Sequence, residues 1–144
     1  MYQLIYLSHA SDDFDPYGDR GIQSILQTAS MTNSMNDITG MLIYRNHIFL
    51  QLLEGEEAQV KALYEKIKKD PRHKDIKTIL AQDTDKRVFP TWSMAYSDLE
   101  GREIDLVNEV MPWDQIVTDF KAGKHIENKK ILSILLRFKY NQAA

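Results

Sequence analysis

Residues 40 to 55 have the sequence GMLIYRNHIFLQLLEG. Its two apolar runs, GMLIY and IFLQLLE, are separated by the polar RNH, and this pattern predicts a hairpin of two buried strands. Side chains alternate between faces along a strand, so Gln51 shares a face with Phe49 and Leu53. A buried primary amide has two donors and two acceptor lone pairs. Gln51 therefore needs a hydrogen-bonding partner, in the protein or in a ligand.

The segments around this hairpin predict three more strands and two helices. Apolar runs favour strands at 2–8, 76–82 and 93–97. Apolar residues at helical spacing favour one helix over 20–34, whose inward stripe ends in Asn33, and a second that ends before Pro71. The resulting order βαββαββ predicts an α+β, ferredoxin-like sheet with both helices on one face and one added strand.

The last part of the chain has a different character and is expected to form a separate unit. We place a first domain at residues 1–97 and a C-terminal helical extension at residues 98–144. Helical stripes predict helices near 112–123 and 127–140. Because an uncovered apolar sheet face would be a liability, these helices are expected to cover the face that the first two leave bare.

Composition excludes several classes of protein. The 144 residues suit one domain, and 18 basic against 21 acidic residues give no electrostatic footprint for nucleic acid or an anionic membrane. Without cysteine there is neither a disulfide nor a thiolate metal site. The four histidines lie far apart, so no metal site is expected, and the common catalytic signatures are absent. No apolar run reaches the length of a membrane span, which predicts a cytoplasmic protein.

Two groups of polar residues raise the question of a ligand. A basic cluster lies at and after the end of the second helix: Lys66, Lys68, Lys69, Arg72, His73 and Lys74. These cations either complement the helix dipole in solvent or bind a phosphate tail. Asn33 and Gln51 either bond to backbone or point into a cleft between the helices and the sheet. In that cleft Ile25 and Ile67 would form apolar walls above Phe49, a setting that suits a planar heterocycle such as a flavin ring.

Several motifs together resemble one family. Tyr6, Asn33, Gln51 within FLQLLEG, and WSM at 92–94 occur in the order and spacing of the BLUF family of blue-light receptors that use FAD. NDITG at 36–40 and DPRHKDI at 70–76 are similar to further family segments, so the resemblance covers residues 1–97. Two positions depart from the family pattern. Many relatives have His or Asn where this chain has Thr32, and Arg where it has Lys66. The chain is thus expected to be a short, stand-alone BLUF protein.

The resemblance implies roles for particular residues. Tyr6 would donate an electron and a proton under blue light, and the Gln51 amide would then rearrange and alter its hydrogen bonds to the flavin. The residues implied as photoactive are Tyr6, Gln51, Trp92 and Met94. Those implied to bind the cofactor, FAD or possibly FMN, are Tyr6, Ser8, Ile25, Ala29, Thr32, Asn33, Phe49, Gln51, Lys66, Ile67, Asp70, Arg72 and His73.

The expected function is light sensing and not catalysis. With no effector domain attached, the signal is expected to pass through the last strand and the C-terminal helices to an unidentified regulatory protein, in a homo-oligomer. Two other hypotheses remain open at the level of sequence. One is a non-photoactive module that binds a small ligand or a protein, in which Gln51 is a satisfied core amide. The other is a small hydrolase of acylphosphatase-like plan that uses the basic cluster for phosphate.

Overall fold

The computed structural model describes residues 1–91 and 93–142, which form one mixed sheet and five helices. The strands are β1 (Tyr2–Ala10), β2 (Thr39–Arg45), β3 (Ile48–Gly55), β4 (His73–Asp83) and β5 (Ala95–Ser97). The helices are α1 (Ile22–Met35), α2 (Glu57–Lys68), α3 (Arg102–Asn108), α4 (Trp113–Lys121) and α5 (Asn128–Gln142).

The strand order is β4-β1-β3-β2-β5. Strand β1 pairs with β3 and with β4, and β2 pairs with β3, all antiparallel, while β5 joins β2 in parallel. The helices α1 and α2 each connect two strands that run the same way with a third strand between them. This arrangement confirms the ferredoxin-like prediction with one added strand.

The predicted hairpin joins β2 to β3 through a tight turn. Arg45 pairs with Ile48, which leaves Asn46 and His47 as a two-residue loop. Both have positive φ angles, 55° and 62°, as a type I′ turn requires. Asn is among the residues that tolerate this conformation best. The sequence expectation placed Arg45 in the loop, but the structure places it at the end of β2, where its guanidinium bonds to the carbonyl oxygen of Leu99 at 3.2 Å.

The sheet has helices on both faces. The face that carries Tyr6, Phe49 and Leu53 packs against α1 and α2. The opposite face packs in one apolar core with α3, α4 and α5, where Trp113 and Phe138 are the largest fully buried side chains. The prediction that the tail covers the bare face of the sheet is therefore confirmed. The division of the chain into domains at residue 97 stays a prediction.

One helix and the first residues of two strands differ from the sequence expectation. Helix α3 was missed, because only Leu106 and Val107 in this short helix are buried and they give no periodic stripe. Strand β4 starts at His73 because the longer β1 pairs down to that residue. Strand β5 starts at Ala95, so Ser93 and Met94 precede the strand. None of the helices within residues 1–91 and 93–142 has the length and hydropathy of a membrane span, and a cytoplasmic location stays a prediction.

Candidate functional site

A cavity of about 250 Å³ lies between α1, α2 and the sheet. This volume is near the lower end of the roughly 300–1,000 Å³ that small-molecule sites span. Every residue predicted to bind the cofactor except Ser8 lies on its wall. The wall consists of Tyr6, Ile25, Thr28, Ala29, Thr32, Asn33, Leu42, Phe49, Gln51, Leu63, Lys66, Ile67, Asp70, Arg72 and His73.

Tyr6 and Gln51 form a hydrogen-bonded pair on the floor of the cavity. They lie directly opposite each other in the register of β1 and β3, on the same face, and both are buried. The Tyr6 hydroxyl donates to Gln51 Oε1. On its other side the amide Nε2 donates to the sulfur of Met94 at 3.6 Å. A single amide therefore joins a phenol on β1 to the residue that precedes β5.

The Tyr6 phenol lies in an environment that keeps it neutral. Burial raises the pKa of Tyr6 far above its ordinary value of 10.0, and the charges of Tyr64 and Asp70 raise it further. The ring packs against that of Tyr64, with 5.5 Å between the centroids. At neutral pH the hydroxyl thus keeps its proton and donates a hydrogen bond to Gln51.

Asn33 supplies the second amide, from the end of α1. Its side chain is only 1% exposed, and Nδ2 donates to the carbonyl oxygen of Ser93 at 2.8 Å. Oδ1 is buried and has no partner among the described residues. An orphaned buried acceptor is costly, about 1–3 kcal/mol, unless a donor meets it. An N–H group on the edge of a heterocycle in the cavity would satisfy this oxygen.

Part of the wall beside the two amides is apolar. Ile25 of α1 and Ile67 of α2 line it from the helices, and Phe49 and Leu42 line it from the sheet. Such a slot, with polar groups at one end, fits a flat ring that carries neighbouring N–H and C=O groups, as the flavin ring does. The residues present therefore fit a flavin.

The polar residues at the α2 end of the cavity are largely bonded to one another. Arg72, a member of the basic cluster predicted to bind a phosphate tail, pairs with Asp70, with 2.6 Å between Nη2 and Oδ2. Burial alone would raise the pKa of Asp70, but these hydrogen bonds lower it below its ordinary value. The exposed Lys66 is the one wall lysine or arginine without an ion-pair partner in the described part of the chain.

His73 and Ser8 satisfy each other next to the cavity. Nε2 of His73 lies 2.6 Å from the carbonyl oxygen of Ile67, and a carbonyl only accepts, so Nε2 carries the hydrogen. Nδ1 is 2.8 Å from Ser8 Oγ, which donates to it when the ring is neutral. Ser8 is fully buried and does not line the cavity. A role for Ser8 in cofactor binding stays a prediction, and its observed partner is His73.

Three wall residues were missed by the sequence argument: Thr28, Leu42 and Leu63. Thr28 and Leu63 lie one helical turn from Ile25 and Ile67, so helical spacing gave a signal for both. Leu42 faces Gln51 across the β2–β3 register, which the hairpin turn fixes. Trp92, predicted as photoactive, lies outside the described residues. Within the described ranges no group of His, Asp and Glu side chains is arranged to hold a metal ion.

The fold and the cavity define a small-molecule-binding domain for a planar heterocycle, in which a buried tyrosine contacts the same amide that lines the ring site. A family model described as BLUF, sensors of blue light using FAD, matches residues 1–95. The chain belongs to the BLUF family and is a flavin-binding sensor of blue light.

Relatives of known name support the assignment. The blue light- and temperature-regulated antirepressor BluF of Escherichia coli is 39% identical over 102 residues, which is 71% of this chain and 25% of BluF. The chain thus spans about a quarter of that relative. The photo-activated state of BlsA matches with a TM-score of 0.70 and 32% identity over 76% of this chain and 78% of BlsA. A bacterial light-regulated adenylyl cyclase matches with a TM-score of 0.70 and 30% identity, over 85% of this chain and 35% of the cyclase.

Proposed function

We propose that this chain is a regulatory light sensor without catalytic activity of its own, in which Tyr6 and Gln51 are the photoactive pair and the signal leaves through Met94, β5 and the helices that follow. The observation that carries the proposal is the continuous chain of contacts from the Tyr6 hydroxyl through the Gln51 amide to the Met94 sulfur.

Bound flavin absorbs blue light and, when excited, is a strong one-electron oxidant. Tyr6 is suited to be the electron donor because it lines the cavity as a neutral phenol. Loss of an electron would make the phenol strongly acidic, so its proton would move along the existing hydrogen bond toward Gln51 Oε1, and the electron and the proton would both return to Tyr6 on recombination. Asn33 would hold the N–H edge of the ring through its free Oδ1, while Ile25, Ile67 and Phe49 exclude water from its faces.

Gln51 is suited to be the switch because its two ends have different partners. Oε1 accepts from the Tyr6 phenol, and Nε2 donates to the thioether of Met94, which is a weak acceptor. A half-turn of the amide would bring its oxygen against the sulfur, which has no hydrogen to donate. Met94 would then lose its bond and favour another position. This is a two-state element that light can bias.

Met94 is well placed to pass such a change onward. It precedes β5 directly, and Ala95, the first residue of β5, packs against the core that the tail helices share. After β5, Leu99 N–H donates to Ser97 Oγ at 3.0 Å, and Leu99 is fully buried in that core. A displacement at Met94 would therefore reach α3, α4 and α5 through packed residues. We propose a downstream regulatory protein as receiver, and a homo-oligomer of the sensor. The antirepressor function of BluF is consistent with this kind of output.

The experiment is an absorption spectrum of the flavin-loaded protein in darkness and after blue light, for the wild type, Gln51→Ala and Gln27→Ala. Gln27 is an exposed glutamine of α1 and serves as the control. We expect a small reversible red shift in the wild type and in Gln27→Ala, and none in Gln51→Ala. A folded, flavin-loaded wild type with no light-dependent shift would refute the proposal. A comparison of protein captured in darkness and under blue light then tests the partner.

A further inference from the structure

Strand β3 carries a buried carboxylate, Glu54, in addition to Gln51. Gln51 faces the cavity, and Glu54, further along the same strand, faces the tail core and has no exposed surface. Buried glutamates are rare unless their oxygens are bonded, because a charge without partners is very costly. The Glu54 oxygens accept from the backbone N–H groups of Val88, at 2.8 Å, and Phe89, at 3.0 Å. This carboxylate thus holds a connection between strands.

Arg87 ties the same connection to β2 and β3. Its Nη1 donates to Thr39 Oγ1 at 2.9 Å and to the carbonyl oxygen of Glu54 at 3.2 Å. Its Nη2 donates to the carbonyl oxygen of Asp37 at 2.7 Å. The side chain is 11% exposed, so solvent competes little for these bonds. Residues 87–89, which we call the anchor, are therefore bonded to the sheet through both backbone and side chains.

The chain that leaves the anchor is held again immediately before Met94. The carbonyl oxygen of Ser93 accepts from Asn33 Nδ2, so a wall residue of the flavin cavity holds this point. Met94, with its sulfur bonded to Gln51, follows it. Because the anchor and Ser93 both precede Met94 and are both bonded, Met94 cannot shift the whole connection backward toward β4. A displacement at Met94 is instead directed forward, into β5 and the tail.

We propose that Glu54 is a positioning residue for signal output: it fixes the anchor, so that a change at the Gln51–Met94 contact moves β5 and the tail helices and is not absorbed in the β4–β5 connection. This inference rests on the proposed function, because it assumes that Met94 carries the signal. It assigns Glu54 no part in flavin binding or in the photochemistry, since Glu54 lies on the opposite face of β3 from the cavity.

The test is Glu54→Gln in the full flavin-loaded chain. The glutamine keeps the shape of the side chain but replaces one accepting oxygen with an NH2 group. In place of Oε1 this group faces the N–H groups of Val88 and Phe89, and in place of Oε2 it faces the Val88 N–H and the Gln3 amide. At least one hydrogen bond to the anchor is therefore lost. Ile48→Val is the matched control, because Ile48 is buried on the same face of β3 at the opposite end and bonds to no residue of the anchor through its side chain. Two readouts are needed: the light-induced spectral shift, and the light–dark difference in amide hydrogen exchange of α4 and α5.

We expect Glu54→Gln to keep the spectral shift of the wild type and to lose most of the exchange difference in α4 and α5, while Ile48→Val keeps both. A role of Glu54 in stability alone would lower the melting temperature and leave the exchange difference intact, and that result would overturn the inference. Absence of the spectral shift in wild-type protein would instead refute the proposed function, so the two failures are distinguishable.

A second variant and a double mutant guard against misfolding of Glu54→Gln. Arg87→Met removes another tie of the anchor without touching the carboxylate, and we expect the same loss of the exchange difference. In a Met94→Ala background, Glu54→Gln should add no further loss, because both changes act on one route. Additive losses in the double mutant would show that Glu54 acts on the tail independently of Met94 and would overturn the inference.

Discussion

The side chain of Asn33 donates to the carbonyl oxygen of Ser93 at 2.8 Å, which joins the wall of the cavity to the residue before Met94. Oδ1 of the same side chain is buried and has no partner among the described residues, so it is available to a ligand donor. Asn33 can therefore bind the ring and hold the output connection at once. Gln51 of β3 makes a second link to the same segment, because its Nε2 donates to the Met94 sulfur. Both amides of the cavity thus contact the segment that leads to β5.

Asn33→Ala is expected to weaken flavin binding. Without Oδ1, the ring N–H would be buried without an acceptor, at a cost of about 1–3 kcal/mol, which corresponds to roughly a 5- to 150-fold rise in the dissociation constant. Flavin titration followed by fluorescence measures this. Asn36→Ala is the control, since Asn36 is exposed and bonds only to the backbone of its own helix. Equal affinity of Asn33→Ala and wild type would show that Oδ1 does not contact the ring.

Tyr6→Phe is expected to retain flavin and lose the stable red-shifted state. The ring still fills its place in the core, but the hydroxyl that donates to Gln51 is gone. Absorption spectra before and after blue light are the measurement. The control is Tyr64→Phe, which removes the hydroxyl of the neighbouring ring, bonded to Thr78 at 2.8 Å. A wild-type photocycle in Tyr6→Phe would mean that another residue is the donor.

The raised pKa of Tyr6 has a consequence at alkaline pH. An acid whose pKa is higher in the folded than in the unfolded chain contributes stability that is fully present below the unfolded value, here 10.0, and is lost as the pH rises through the folded value. We therefore expect Tyr6 to contribute no tyrosinate absorbance at pH 10 while the protein is folded. The difference between wild-type and Tyr6→Phe titrations measures this contribution, and a half-ionised Tyr6 at that pH would contradict the assignment.

Met94→Ala is expected to separate the photochemistry from its output. The Tyr6–Gln51 pair remains, so most of the spectral shift should persist, while the sulfur contact that links Gln51 to β5 is lost. Hydrogen exchange in darkness and under steady blue light should differ in β5 and the tail helices of the wild type and much less in the variant. Strand β3 should stay protected in both. Met31→Ala, on the exposed face of α1, is the control.

The site is expected to discriminate weakly among riboflavin, FMN and FAD. Arg72 is paired with Asp70 and both nitrogens of His73 are bonded, so a phosphate would meet mainly the exposed Lys66. An exposed ion pair contributes about 0–1 kcal/mol, which predicts dissociation constants within about tenfold of one another. Lys66→Gln should weaken FMN slightly and riboflavin not at all, with Lys129→Gln, at an exposed lysine of α5, as control. A preference for FAD of a hundredfold or more would disprove this.

The local patterns predicted the sheet and most of the cavity wall. Alternation in GMLIY and IFLQLLE gave the hairpin, and helical spacing gave the two stripes, because burial of one face imposes these periods on the sequence. Gln51 and Asn33 were recognisable because a polar residue within an apolar stripe needs a partner. Short-range signals were weaker where few residues are buried, which is why α3 was missed and the start of β5 was misplaced.

The sequence was sufficient to predict the α+β class, the order of the elements that build the cavity, and Tyr6, Asn33 and Gln51 as candidates for one site. The hydrogen-bonding partners of these residues became clear in the three-dimensional structure. Nothing in the spacing shows that Asn33 bonds to Ser93, that Arg72 is paired with Asp70, or that Glu54 holds the backbone of Val88 and Phe89. Periodicity reports which face of an element is buried, whereas a hydrogen bond between residues far apart in sequence depends on how the chain closes in three dimensions.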